Sequence, residues 1–140
     1  MPELKYDGIK DVIKEMVAMG ERTGEGAHRM LHVAAERMKS EWLETIDRYD
    51  FIKSREMRDK VGYPRKPKEV EDVLSIDVYP QGKDSKTGVR NAEKAFILHY
   101  GRKNMVATHF VDHIISSSSE EIEQLMIKTW QEFLDEKMKG

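Results

Sequence analysis

Apolar residues three and four positions apart open the chain. Ile9, Val12, Ile13, Met16 and Val17 share one helical face, Asp7 can cap its start, and Gly20 stands where a left-handed C-terminal cap belongs. A short helix is predicted through about Met19. A second stripe, Ala27, Met30, Leu31, Ala34, Met38, Trp42, Ile46 and Tyr49, predicts a much longer helix that Thr23 can cap, about six turns in length. Ser54 can cap a third helix, Arg55 to Val61, closed by Gly62. The pattern then breaks. Tyr63-Pro64-Arg65-Lys66-Pro67-Lys68 carries two prolines and three basic residues, which predicts an extended, exposed connector. Beyond it Leu74, Ile76 and Val78 alternate with Ser75, Asp77 and Tyr79, the period of a half-buried strand.

The polar run from Gln81 to Gly88 is bounded by glycines and is expected to be a mobile loop. Asn91 can cap a helical turn bearing Ala92, Ala95, Phe96, His99 and Tyr100, with Gly101 as its stop. A strand over Ala95–Tyr100 is the competing assignment. Residues 109–115 form another apolar piece. Ser118 followed by Glu121 has capping-box spacing, so the four serines 116–119 read as the start of a last helix with Ile122, Leu125, Met126, Thr129, Trp130, Phe133 and Leu134 on one face. Its acidic start, Glu120 and Glu121, and basic end, Lys137 and Lys139, suit the helix dipole. These elements predict an α+β fold, long N-terminal and C-terminal helices packed on a small, mostly antiparallel sheet, in a single domain spanning 1–140.

Composition narrows the function classes. Hydrophobic residues make up 39% of the chain and charged residues 36%, against about 25% charged in an average globular domain, so the core is modest and the helix surfaces are rich in Glu and Lys. Twenty-four basic residues face 26 acidic ones for a formal net charge of −2, which gives no global attraction to nucleic acid or an acidic membrane. No cysteine is present, so thiolate chemistry and disulfides are excluded. No apolar stretch approaches membrane-spanning length, and the N-terminus has no apolar run of signal-peptide type.

Candidate chemistry is sparse. His28 and His32 have metal-ligand spacing with Glu36 on the same line, yet Arg29 stands where a zinc-protease helix carries its glutamate, and solvated or packing histidines explain the pair better. The same holds for His109 and His113. No Gly-x-Ser-x-Gly elbow surrounds a serine, and Gly82 and Gly88 lack the ending of a phosphate cradle. No catalytic, cofactor-binding or metal-binding residue is therefore assigned, and the chain is expected to be no enzyme. Arg65, Lys66 and Lys68 remain as a small basic cluster that can meet phosphates or an acidic partner.

The stretch from Asn91 to Met105, which contains Ala95-Phe96-Ile97-Leu98-His99-Tyr100-Gly101, resembles the signature of a family of phage minor tail components, the head–tail joining and tail-completion proteins of long-tailed phages and prophages. Ala107-Thr108-His109-Phe110-Val111 is similar to that family's lead-in to its C-terminal helix, and Gly8-Ile9 to its opening. The order of parts is similar over nearly the whole chain, although about twenty residues carry the specificity. The chain departs from the pattern at Phe51–Arg55, where Thr-Gly-x-Leu is usual, at Thr108-His109-Phe110 in place of Arg-Pro-Phe, and at His99, where an acidic residue is common. The resemblance implies a structural subunit that closes a ring with copies of itself and meets neighbouring tail or neck proteins. It implies incidental contact with DNA in a tail lumen at most, and neither a membrane nor a small-molecule substrate. The subunit would assemble in the host bacterial cytoplasm and end in the virion.

Within this reading Phe96, Tyr100 and Gly101 are the signature, and Phe96 and Tyr100, four apart, are expected to pin it to a core shared with Phe110, Trp42 and Trp130. Gly101 is expected to turn the chain through a left-handed backbone. Arg102, Lys103, Asn104 and Met105, with Arg65, Lys66 and Lys68, are the expected interface. The alternative is a small nucleic-acid-associated regulator that uses the 64–68 loop.

Overall fold

A computed structural model of the chain describes residues 8–21, 24–49, 55–71, 73–101 and 106–139. Asp7, Thr23, Ser54 and Arg102–Met105 lie outside this set, so the three expected caps and the first part of the expected interface are not described. The fold is α+β: helices α1 (Ile9–Ala18), α2 (Glu25–Tyr49), α3 (Arg55–Asp59), α4 (Asn91–Tyr100) and α5 (Phe110–Lys139), with short strands β1 (Val61–Gly62), β2 (Lys68–Val70), β3 (Val73–Ser75) and β4 (Tyr79–Pro80). The strands form two antiparallel ribbons, β1 with β4 and β2 with β3. The residues group into two compact units. One comprises 1–36, 65–76 and 120–140, the other 37–64 and 77–119, so both long helices contribute to each.

The first unit is built on Val12 and Met16 of α1, Ala27 and Met30 of α2, and Trp130, Phe133 and Leu134 of α5. Trp130 is fully buried, and truncating such a residue to alanine typically costs about 3–5 kcal/mol. Helix α1 ends as its sequence requires: Gly20 adopts φ 73°, and the amides of Gly20 and Glu21 donate to the carbonyls of Val17 and Met16. Gly26 admits the aromatic pair. A β-carbon there would stand 2.6 Å from Trp130 Cζ3 and 2.9 Å from Phe133 Cδ1. Leu74 on β3 packs half-buried against this core.

The second unit gathers Trp42 and Ile46 of α2, Met57 of α3, Val61 of β1, Ala95 of α4, and Phe110 and Ile114 of α5. Trp42 and Phe110 meet edge-on with ring centroids 5.6 Å apart. Three expectations are corrected here. The third helix stops at Asp59, because Val61 is buried as strand β1 and pairs with Pro80. The 74–79 alternation is not one strand: Leu74 belongs to β3 in the first unit, and Tyr79 to β4 in the second. The four serines start nothing. Helix α5 begins at Phe110, and Ser118 is fully buried within it, its hydroxyl donating to the carbonyl of Ile114 one turn back. The Ser117 hydroxyl lies 2.5 Å from both Glu41 Oε1 and the His113 carbonyl, which share its one proton.

The 81–90 loop is tied at several points rather than open. The Asp84 carboxylate accepts from the Lys86 and Thr87 amides and is ion-paired with Lys94. Ser85 donates twice to Glu56, and the side-chain amide of Asn91 donates to the Gln81 carbonyl. Asn91 is thus a buried tether at the first residue of α4, not a helix cap.

Candidate assembly surface

Helix α4 decides which residues of the signature face outward. Asn91, Ala95 and His99, each one turn apart, are buried, and this ridge faces the second core. The adjacent ridge carries Phe96 and Tyr100. Their rings pack on each other at 4.6 Å between centroids, yet they are 62% and 59% exposed. This overturns the expectation that they pin the signature to the core. Ala95 of the buried ridge packs in the cluster with Trp42 and Phe110, and Leu98 of the same helix packs against it. Large aromatic side chains lead a sequence reading toward the opposite choice. Trp42, Phe110 and Trp130 are core residues as expected, all at most 6% exposed.

The chain beyond α4 is strapped to it. Gly101 has φ 81° and ψ −180°, and its amide donates to the Ile97 carbonyl. Residues 108 and 109 return to the same helix end: the Thr108 amide and hydroxyl donate to the Leu98 carbonyl, and the His109 amide donates to the His99 carbonyl at 3.0 Å. These bonds satisfy carbonyls that a helix C-terminus otherwise leaves without partners. Val106, 87% exposed, emerges beside the strap. Arg65, Lys66 and Lys68 are exposed, Lys68 opening β2, but they belong to the first unit while the signature belongs to the second.

The histidines pair differently from their sequence spacing. His28 Nδ1 contacts the Gly24 carbonyl at 2.8 Å, and His113 packs edge-on against Tyr49. His109 instead meets His99, ring centroids 5.1 Å apart, at the start of α5. Asp112 lies beside both, 4.0 Å from His99 Nε2 and 4.0 Å from His109 Nδ1. Among the described residues this is a group of three potential ligands whose donor atoms all lie within 4.8 Å of one another. No local spacing announces it, because His99 sits on α4 and joins the others only through the strap.

Two carboxylates in the second unit are held below their ordinary range. Lys94, with the Lys86 and Thr87 amides, brings Asp84 down to about 2. The Ser117 hydroxyl, supported by Arg37 at 3.1 Å, lowers Glu41. Both groups accept their bonds inside structural ties. No helix among the described residues is long and apolar enough to cross a membrane. Compared with protein families, curated proteins and solved structures, the chain matches none.

Proposed function

We propose that the chain is a structural subunit of a phage or phage-derived tail, joining or completing its head-proximal end by closing a ring with copies of itself. The observation that carries this reading is the exposed Phe96–Tyr100 pair, its rings tilted against each other, within the segment that resembles the tail-component signature. Two adjacent aromatic rings held on a strapped helix are costly to leave in water and are the residue type that anchors interfaces. Val106, 87% exposed, is a further uncovered apolar side chain of the same unit. In this proposal the partners are further copies and the neighbouring neck or tail proteins, and the protein does no chemistry. Assembly would take place in a bacterial host, with the virion as destination. The nucleic-acid alternative gains little, because exposed Glu69 and Glu71 offset the cluster Arg65, Lys66 and Lys68.

Sedimentation and electron microscopy of the purified chain test the reading. Rings or higher oligomers are expected at high concentration. The double variant Phe96→Ala, Tyr100→Ala should abolish them while keeping the wild-type melting temperature, since both rings are mostly exposed and interface anchors typically contribute about 2 kcal/mol or more to association. A chain that stays monomeric at millimolar concentration, or rings that survive the double change, would count against it.

A further inference from the structure

We propose that His99, His109 and Asp112 form a weak binding site for a divalent transition-metal ion, with Zn²⁺ as the fitting case. Two imidazoles and one carboxylate are the ligand types that Zn²⁺ takes when its remaining position is left to water or to a ligand from outside. A tetrahedral ion with bonds of about 2.0–2.1 Å needs its donor atoms about 3.3 Å apart. His99 Nε2 lies 4.0 Å from Asp112 Oδ1 and His109 Nδ1 lies 4.0 Å from Oδ2, and one donor atom from each residue lies within 4.8 Å of the others, so the separations must contract by up to about 1.5 Å. The residues able to make that adjustment are the exposed ones. His109 and Asp112 have side chains 55% and 70% exposed, whereas the His99 ring is fixed against Tyr100 and Phe110.

The backbone at His109 is a second observation. It holds φ 52°, a left-handed conformation uncommon outside glycine, though histidine is among the residues that adopt it, and one that collects at ligand sites. This turn aims the His109 ring at His99, and the strap from His109 N–H to the His99 carbonyl holds the two residues together.

The same geometry limits the affinity. His99 Nδ1 accepts a long hydrogen bond, 3.3 Å, from the Val111 amide, so the neutral ring carries its proton on Nε2 and directs it toward Asp112. A metal at Nε2 transfers that proton to Nδ1, and the contact with the Val111 amide is given up. The expected site is accordingly of micromolar strength and is not required for folding.

Competition between the full chain and a chromophoric chelator for Zn²⁺ alone provides the test. One ion per chain is expected. His109→Gly, which also suits the left-handed backbone, and Asp112→Asn should each weaken binding at least about tenfold. The double variant His28→Ala, His32→Ala should leave it unchanged. Co²⁺ added to the unaltered chain should broaden the ring proton resonances of His99 and His109 ahead of those of His113, which identifies the ligands without any substitution. Absence of binding, binding indifferent to His109→Gly, or broadening confined to other histidines overturns the site.

Discussion

A single backbone angle gives Gly101 its role. With φ 81° and ψ −180°, it occupies a region essentially restricted to glycine, and any side chain there costs of order 1–3 kcal/mol. Gly101→Ala should therefore lower the unfolding free energy by that amount, read as a lower urea midpoint, and loosen the strap from Thr108 and His109. An unchanged midpoint would show that the turn relaxes freely. Reading the sequence located this glycine correctly, because a stop after an apolar helical run leaves few other roles. It misplaced Phe96 and Tyr100 because side-chain size is visible in a sequence while the choice between two adjacent ridges is not. The buried ridge Asn91–Ala95–His99 contains two polar residues, whose burial follows from specific partners: the Gln81 carbonyl for Asn91, and the Val111 amide for His99.

Element by element, periodicity served the helices well and the short strands poorly. Helix α2 follows its stripe from Ala27 to Ile46, and its close approach to α5 in the first unit passes over Gly26. Glycine in a helix interior is unfavourable by about 0.5–1 kcal/mol relative to alanine, and Gly26, the second residue of α2, carries only part of that penalty for an alanine to relieve. Here the added β-carbon would press into the rings of Trp130 and Phe133, and overpacking of that kind costs about 1–3 kcal/mol. The net expectation is a lower melting temperature for Gly26→Ala, and a higher one would show that the two rings can withdraw. Helix α5 carries the converse lesson. Four serines look like a helix start, yet in the folded chain Ser117, Ser118 and Ser119 all bond back to carbonyls of the preceding turn, Ser117 also reaching Glu41, so a helix of 30 residues runs through them.

For the molecule as a whole, the lowered pKa values of Asp84 and Glu41 contribute a response to pH. Each carboxylate binds its proton less readily folded than unfolded, so the unfolded chain takes up more protons in acid and stability rises with pH across that range. The contribution is fully present above the ordinary carboxylate pKa of about 4 and is lost as pH falls toward 2. Urea midpoints at pH 6 and pH 3 should differ in that sense, and Lys94→Met should shrink the difference by removing the main partner of Asp84; an equal difference in the variant would sink the assignment. What the sequence determined by itself was the α+β class, the helical stripes, the turn at Gly101 and the core roles of Trp42, Phe110 and Trp130. Those depend on local periodicity and backbone stereochemistry, which neighbouring residues carry among themselves. Only the tertiary structure decided that Phe96 and Tyr100 face outward, that the 81–90 loop is tied by Asp84 and Glu56, and that His99 meets His109 and Asp112. Each of these joins residues from separate elements, and which ridge of a helix is covered depends on how the elements pack against it.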